Sequence, residues 1–287
     1  MTGVPSPGTG RLAVVLSAIV AAVLAHPWRT ETERWVLGVA AAVAVVSLVW
    51  WRGRYLTTIA RQRVRIALGG TSIRQGEART DATTTVLLRM SESDRQVPLR
   101  LLVGYLDRYG LVCDSVRLTT RTTAAGTTTW IGLTFDAARN LAALQARAQE
   151  LPLQQTAAAA ARRLVGELDE IGCTTTLVDD APTAVADGAR ERWRAVSDSQ
   201  GYVAVYGVGE ATEEALAAVR ASAPGESWTV LEIDGTPALP RLSAAAAIRT
   251  DAAPSAAVPV PGLVPVPGRQ AAALSALHPR SGARLIA

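Results

Sequence analysis

The stretch that decides the fold is Leu111 to Phe135, LVCDSVRLTTRTTAAGTTTWIGLTF. Its two outer parts are rich in β-branched and aromatic residues, and every second residue from Ile131 to Phe135 is apolar. A polar turn that contains Gly126 separates the two parts. Alternation with a period of two is typical of half-buried strands. The pattern therefore predicts two strands, Leu111–Thr119 and Thr127–Phe135, that pair as a hairpin.

Outward from this hairpin, the apolar spacing changes between periods of two and of about 3.6 residues. Apolar residues recur at helical spacing from Leu99 to Leu106 and from Ala161 to Ile171, and Gly110 and Gly172 end these two patterns. The other predicted elements are strands at 86–88, 174–178, 202–206 and 228–233 and helices at 185–196 and 210–221. The fold class is therefore mixed α/β, and the hairpin argues against a purely parallel sheet.

The C-terminal part changes in composition and becomes rich in alanine, proline and valine. Val258–Gly262, VPVPG, is repeated as Val264–Gly268. Proline removes backbone donors and favours extended or polyproline geometry, so we expect a solvated tail or a docking strap. The predicted organisation is an N-terminal tail (1–10), a transmembrane hairpin (11–51), a basic juxtamembrane segment (52–80), a cytosolic α/β domain (81–240) and a C-terminal tail (241–287).

Two uncharged apolar runs near the N terminus, Leu12–Ala25 and Trp35–Trp51, flank the polar loop His26–Arg34. A helix of the 17 residues in the second run is about 26 Å long, close to the roughly 30 Å hydrocarbon core of a bilayer. The two runs therefore predict a transmembrane helical hairpin. Tryptophan rings and arginines settle at membrane interfaces, so the predicted interface residues are Trp28, Trp35, Trp50, Trp51, Arg52 and Arg54.

Arginine is concentrated just after the second run, where residues 52–79 carry seven arginines and one acid. Positive charge marks the cytoplasmic side, so we expect a multi-pass protein of the inner membrane with its large part in the cytoplasm. The segment should attract anionic lipids, and no nucleic-acid motif accompanies it. Val23-Leu24-Ala25 also approximates a signal-peptide cleavage site, which leaves the retention of the first run open.

The chain is poor in catalytic side chains. All 29 basic residues are arginine, which excludes the P-loop cradle and lysine Schiff-base chemistry. Cys113 and Cys173 fall short of the four ligands of a structural zinc and are expected to be reduced, buried thiols. His26 and His278 lie outside the predicted globular region, which excludes a Ser-His or Cys-His hydrolase. We therefore expect no enzyme, no metal, no cofactor and no small-molecule substrate.

The nearest approach to a cofactor motif is Gly207–Thr212, GVGEAT, between a predicted strand and a predicted helix. Dinucleotide-binding turns use a third glycine for close helix-to-strand packing, and Thr212 stands in its place. Glu210 would bring negative charge towards a pyrophosphate. An ordinary strand-turn-helix explains the sequence, and a membrane-tethered nucleotide or sugar-nucleotide enzyme that uses the Gly207–Gly209 turn remains an alternative.

Two longer stretches carry a resemblance to a known family: Thr129–Ala148, TWIGLTFDAARNLAALQARA, and Leu151–Cys173, LPLQQTAAAAARRLVGELDEIGC. With the N-terminal hairpin, they resemble the EccE proteins, membrane components of actinobacterial type VII (ESX) secretion systems, over roughly residues 10–235. The residues that carry the pattern are Trp130, Leu133, Arg147, Arg162, Arg163 and Leu164. The resemblance implies a non-enzymatic scaffold that joins EccB, EccC and EccD in an inner-membrane channel, with EccC supplying the ATPase.

The leading hypothesis is therefore a membrane-anchored structural subunit that stabilises or assembles a type VII secretion channel. One alternative is the tethered enzyme described above. The other is a lipid-binding regulatory domain that uses the arginines from Arg52 to Arg65.

Overall fold

The computed structural model describes residues 82–91, 97–146 and 152–286, together with individual residues between 16 and 66. The chain divides into two compact units, residues 1–69 and residues 70–287. Each unit is described by itself.

In the first unit, the residues described between Leu16 and Leu24 and between Glu31 and Ala41 are helical. Two short strands, β1 (Trp50–Trp51) and β2 (Arg54–Tyr55), pair antiparallel. The prediction that the second helix extends through Trp51 is therefore wrong at its end, because tryptophan and tyrosine favour strands. None of the helices described is both long and apolar enough to cross a bilayer.

The second unit is built on one large antiparallel sheet. Its strands are β3 (Thr83–Met90), β4 (Asp107–Arg108), β5 (Leu111–Thr123), β6 (Gly126–Asp136), β7 (Thr175–Val178), β8 (Arg190–Glu191), β9 (Val196–Asp198), β10 (Gly201–Val208), β11 (Ser227–Thr236), β12 (Leu239–Thr250) and β13 (Leu263–Pro265). The strand order is β7-β3-β6-β5-β11-β12-β10-β9-β8, while β13 pairs with β10 and β4 with β5. The prediction of a mixed helix and strand fold is confirmed.

Five helices of this unit are described: α1 (Leu99–Gly104), α2 (Leu141–Gln145), α3 (Leu153–Glu170), α4 (Glu213–Ser222) and α5 (Gln270–Leu277). α3 begins directly after Pro152, and Gly172 follows its end with a φ of 80°. The end agrees with the predicted boundary at Gly172, because glycine readily adopts positive φ, and Pro152 suits the start because it has no N–H to donate inside a helix.

The sheet is buried on both faces. Leu231 and Ile233 of β11 lie on the face covered by α1, α3 and α4. Trp228 and Val230 lie on the opposite face, which is covered by α5 and by an irregular segment around residues 181–196. Burial on both faces explains why the central strands lack a clear alternation of polar and apolar residues.

The predicted helix at 185–196 is wrong. The structure places β8 and part of β9 there, and Gly188 has a φ of 77° that interrupts regular helix. Val185, Ala189 and Val196 are buried against the sheet. Apolar residues at helical spacing therefore belong here to an irregular segment that packs against the apolar face of the sheet.

The expectation of a solvated C-terminal tail is also wrong. Residue 240, the predicted end of the cytosolic domain, lies within β12, which pairs with β11 on one side and β10 on the other. Farther on, β13 adds to the sheet and α5 buries Leu274 and Leu277. Alanine-rich β12 can be a central strand because both of its faces are covered, so small side chains still remove apolar surface from water.

Candidate functional site

The predicted membrane-interface residues fall in the first unit. Trp35 is in a helical segment with an exposed side chain, while Trp50, Trp51 and Arg54 belong to β1 and β2. Trp28 and Arg52 lie outside the described residues. Between Leu16 and Ala41, the exposed large apolar side chains in the helical residues are Leu16, Ile19, Val20, Val23, Leu24, Trp35 and Val39. The first five recur at intervals of three and four residues, so they form one apolar stripe along a helix.

The residues that carry the family resemblance do not form one site. Leu133 and Leu164 are fully buried in the core beneath α1 and α3. Trp130 lies on the opposite face of the sheet, where its ring stacks on that of Trp228 with centroids 5.8 Å apart. These three residues are therefore packing residues.

Two arginines of the same pattern, Arg162 and Arg163, are at the surface of α3. The Arg163 guanidinium lies 4.4 Å from the ring centre of Tyr109, and Arg162 is exposed. The Tyr109 hydroxyl donates to Glu167, which also accepts from Arg108. Arg163 therefore helps to attach α3 to the turn before β5 through a cation–π contact. Arg147 lies outside the described residues.

The Gly207–Thr212 turn makes its hydrogen bonds within the protein itself. Gly207 lies in β10 between β12 and β13, and the Gly209 N–H donates to the Gly262 carbonyl at 3.0 Å. Thr212 caps α4 because its hydroxyl accepts from the Ala215 N–H. A phosphate cradle needs free backbone donors at such a turn. The geometry thus favours the ordinary strand-turn-helix interpretation.

A buried ion pair, which sequence reasoning missed, is the most unusual polar feature of the second unit. The Arg117 guanidinium on β5 donates to the Glu232 carboxylate on β11 at 2.6 Å, and each side chain is only 2% exposed. The pair lies on the sheet face opposite α1 and α3, since the neighbouring residues Val116 and Ile233 face those helices. The local signal in the sequence was slight: each of the two charges stands between two apolar residues of its strand.

The C-terminal segment, residues 278–286, crosses the sheet over this pair and is called the strap below. Arg117 donates to the carbonyl oxygens of His278, Ser281 and Ala283 at 3.3, 2.5 and 2.6 Å. Burial lowers the pKa of the Arg117 guanidinium, and the Glu232 charge opposes that shift. Four acceptors around one buried cation compensate part of its desolvation.

Glu232 fastens the strap from the other side. Its Oε1 accepts from Arg284 at 2.9 Å, and its Oε2 accepts from the Leu285 N–H at 3.3 Å as well as from Arg117. Arg284 also donates to Asp234 at 2.7 Å and to the Asp114 carbonyl. Both carboxylate oxygens of Glu232 are thus engaged by the chain itself, so the cluster serves as a clasp between strap and sheet.

Metal-ligating side chains do not converge in the part of the chain that is described, where no group of three or more His, Cys, Asp or Glu could hold an ion. The two cysteines, Cys113 and Cys173, are free and buried. Burial raises the pKa of the Cys113 thiol to about 12, which makes it a poor nucleophile at neutral pH.

Comparison with known proteins relates the chain to one family. The family model described as "Putative type VII ESX secretion system translocon, EccE" matches residues 123–208. The chain is 44% identical over 284 residues to the ESX-3 secretion system protein EccE3 of Mycolicibacterium smegmatis, covering 96% of this chain and 90% of that protein. It is also 44% identical over 297 residues to ESX-3 secretion system protein EccE3 of Mycobacterium tuberculosis, covering 99% and 89%.

Proposed function

The chain belongs to the EccE family of type VII (ESX) secretion system proteins, and we propose that it acts there as a membrane-anchored structural subunit. In this role it stabilises or assembles the inner-membrane channel, and it carries out no reaction itself. Its proposed protein partners are EccB, EccC and EccD.

The observation that carries the proposal is the apolar stripe of the first unit. Leu16, Val20 and Leu24 are at least half exposed although they are large apolar residues in a helix. Exposed apolar stripes of this kind are normally covered by lipid or by a partner. The arginine-rich segment after Trp51 supports an orientation with the second unit in the cytoplasm.

The chemistry of the second unit supports a binding role. The buried carboxylate of Glu232 is held by three donors from the chain, and the Gly209 N–H at the turn is bonded to the Gly262 carbonyl. The tethered-enzyme alternative loses its proposed phosphate site in this arrangement.

The test is gentle detergent extraction of native membranes that contain the chain, followed by native gel separation and mass spectrometry. We expect the chain to migrate in a large assembly together with EccB, EccC and EccD. Migration of the chain only near the mass of a monomer would contradict the scaffold role.

A matched pair of variants tests the anchor. The double substitution Val20→Arg and Val23→Arg places two guanidinium groups on the apolar stripe, at a cost of about 3 kcal/mol each in a bilayer. The double substitution Val20→Leu and Val23→Leu keeps the stripe apolar. We expect carbonate washing to release the arginine variant from membranes and to leave the leucine variant. Equal retention of both variants would show that the stripe is not an anchor.

A further inference from the structure

The two edges of the large sheet carry opposite charges. β7 and β8 are its outermost strands, and within the described part of the chain each of them pairs on one side only. The edge at β8 is rich in arginine, whereas carboxylates flank the edge at β7. Strand edges can meet a strand of another molecule, so the side chains around an edge decide which contacts it allows.

The basic edge, as we call it below, begins with β8 and the turn that follows it. Arg190 lies in β8, and Arg192 and Arg194 follow at intervals of two residues. Glu191 is buried and accepts from the Ala271 N–H at the start of α5. Side chains alternate between the faces of a strand, so Arg190 and Arg192 project to the opposite face, the side of α3 and α4.

Trp193 and Arg269 complete the basic edge. The Gly268 N–H donates to the Trp193 carbonyl at 2.6 Å, which places Arg269 beside the turn. All four arginines of the basic edge are exposed, and none of them takes part in an ion pair with another described residue. Trp193 is partly exposed among them. Tryptophan and arginine are among the residues most enriched at the energetic centres of protein interfaces.

The acidic edge lies at the other end of the sheet, around β7. Asp169 and Glu170 at the end of α3 and Asp179 directly after β7 are exposed. As far as the chain is described, their carboxylates form no ion pair. Leu177 of β7 is 40% exposed on the side of α3, because it pairs with Leu88, which packs in the core beneath that helix. The acidic edge thus combines one exposed apolar residue with three carboxylates.

Nearby charges of opposite sign do not cancel either edge. Asp187 precedes β8, but one carboxylate leaves the four arginines in excess. Arg89 of β3 lies next to β7, yet it pairs with Trp130 and therefore lies on the face of the strap. Arg280 belongs to the strap itself and donates to the backbone carbonyl of Asp179. On the side of α3 and α4, the basic edge stays positive and the acidic edge stays negative.

We propose that the basic edge of one chain docks on the acidic edge of a second copy of the same chain. Both sets of charges lie on the side of α3 and α4, so they face each other when the sheet of the second copy continues the sheet of the first. Trp193 and Leu177 then form an apolar centre, and the opposite charges form a polar rim around it, which is the usual composition of a protein interface.

The contact between the two copies is head to tail. A two-fold contact through either edge alone would bring like charges together, which disfavours it. A head-to-tail contact uses a different edge of each copy and can continue into a ring or a longer row. This inference goes beyond the proposed function, since it needs neither the membrane anchor nor the other subunits.

Sedimentation velocity of the full chain in a neutral detergent tests the contact with two charge-reversed variants. The basic-edge variant carries Arg190→Glu, Arg192→Glu and Arg194→Glu. The acidic-edge variant carries Asp169→Arg, Glu170→Arg and Asp179→Arg. We expect the wild-type chain to form dimers and larger species at low salt and to dissociate at about 1 M salt, where the screening length falls to about 3 Å. Each variant alone should stay monomeric, because its two edges then carry the same sign of charge.

The matched control is the chain with all six substitutions. Its net charge equals that of the wild-type chain, and its two edges have exchanged their signs, so we expect it to associate again at low salt. An equal mixture of the two three-fold variants should associate as well. Failure of the six-fold chain to associate would show that the edge charges do not direct the contact, which overturns the proposal.

Two further outcomes would also overturn the proposal. Association that persists in both three-fold variants would place the contact elsewhere on the chain. A wild-type chain that stays monomeric at low salt has no such contact. Weaker binding of the basic-edge variant to vesicles of phosphatidylcholine and phosphatidylglycerol would then assign the arginines to anionic lipid. These measurements do not use native membranes or other subunits, so they can fail while the scaffold role stands.

Discussion

At the scale of single residues, Arg117 and Glu232 show how charges can be kept in the interior of a sheet that is covered on both faces. Removing two ions from water is costly, and only good geometry with further hydrogen bonds offsets that cost. Here the Arg117 guanidinium also donates to carbonyl oxygens of the strap, and Glu232 also accepts from Arg284. The hydrogen bonds to this pair therefore fix the position of the strap on the sheet.

The first prediction concerns Glu232→Gln. The substitution leaves the buried Arg117 cation without a counter-ion, so we expect the free energy of unfolding to fall by about 3–5 kcal/mol. The control is Asp234→Asn, because Asp234 pairs with the largely exposed Arg241 and half-exposed Arg284 and such pairs contribute at most about 1 kcal/mol. Urea unfolding of the full chain in detergent measures both. Equal losses would contradict the role of the buried pair.

The second prediction concerns His278 at the start of the strap. Its Nδ1 accepts from the Arg280 N–H and its Nε2 lies 3.3 Å from the Ala181 carbonyl, which fits a neutral ring with the proton on Nε2. Burial lowers its pKa below the ordinary 6.5; Arg280 and Arg117 act in the same direction, while the Ala181 carbonyl and Asp180 oppose the shift. The stability that the neutral His278 ring contributes is therefore fully present above pH 6.5, and it declines as the pH falls towards the lowered pKa of the folded protein.

Unfolding free energies at about pH 7.5 and about pH 5.5 test this sign. We expect the wild-type chain to lose stability between the two values and His278→Gln to lose less, since glutamine keeps a donor for the Ala181 carbonyl without titrating. His26 is present in both proteins and cancels in the comparison. The idea is refuted if the two chains respond identically to pH.

At the scale of elements, the local sequence pattern predicted an element correctly where polar and apolar residues alternate along a strand or where one apolar stripe runs along a helix. The β5–β6 hairpin and α3 were predicted from such patterns, because their regularly spaced apolar residues pack into one core on the helical side of the sheet. The segment at 185–196 and strand β12 were not. Their residues pack in or against a sheet that is covered on both faces, and the segments that cover it are far away in sequence.

The clasp between strap and sheet was beyond sequence reasoning for a related reason. Arg117 and Glu232 are 115 residues apart, and Arg117 and Ser281 are 164 residues apart. No local period links such residues. Each charge looked like a surface residue on its own strand, and only the register of β5 with β11 puts the two opposite each other.

The third prediction concerns the passage of the strap over β6. A Cβ at Gly132 would lie 2.7 Å from the Pro279 carbonyl oxygen, so Gly132→Ala should displace the strap and cost about 1–3 kcal/mol. Gly166→Ala on α3 is the control, because no atom lies within 4 Å of its added Cβ and alanine favours helix by roughly 0.5–1 kcal/mol. Thermal unfolding measures both variants, and we expect the melting temperature to fall for Gly132→Ala and to rise for Gly166→Ala. A neutral Gly132→Ala would mean that the strap does not rest on β6.

At the scale of the whole second unit, the sheet consists of two similar halves. β3-α1-β5-β6 and β10-α4-β11-β12 each run strand, helix, strand, strand, with the third strand between the first and the second. The two halves join through β5 and β11, which pair over seven residues from Ser227 to Ile233. Each half resembles the first four elements of the split βαβ arrangement.

The cores of the two halves are not separate. Ile233 of β11 packs in the core of the first half, and Leu118 of β5 packs against the cores of both. On the opposite face, Trp130 stacks on Trp228 across the seam. Unfolding one half would therefore expose apolar surface of the other, and we expect the unit to unfold in one cooperative transition.

The last prediction tests this cooperativity with buried thiols. Cys113 and Cys173 report on the first half, and Leu216→Cys, on the buried face of α4, reports on the second half. Pulse labelling along a urea series, with mass spectrometry of the peptides, reads all three sites in one variant of the full chain. We expect one midpoint for all three, because the shared β5–β11 seam couples the halves. Labelling of position 216 at clearly lower urea than Cys113 would show that the second half unfolds on its own and that the seam is a domain boundary.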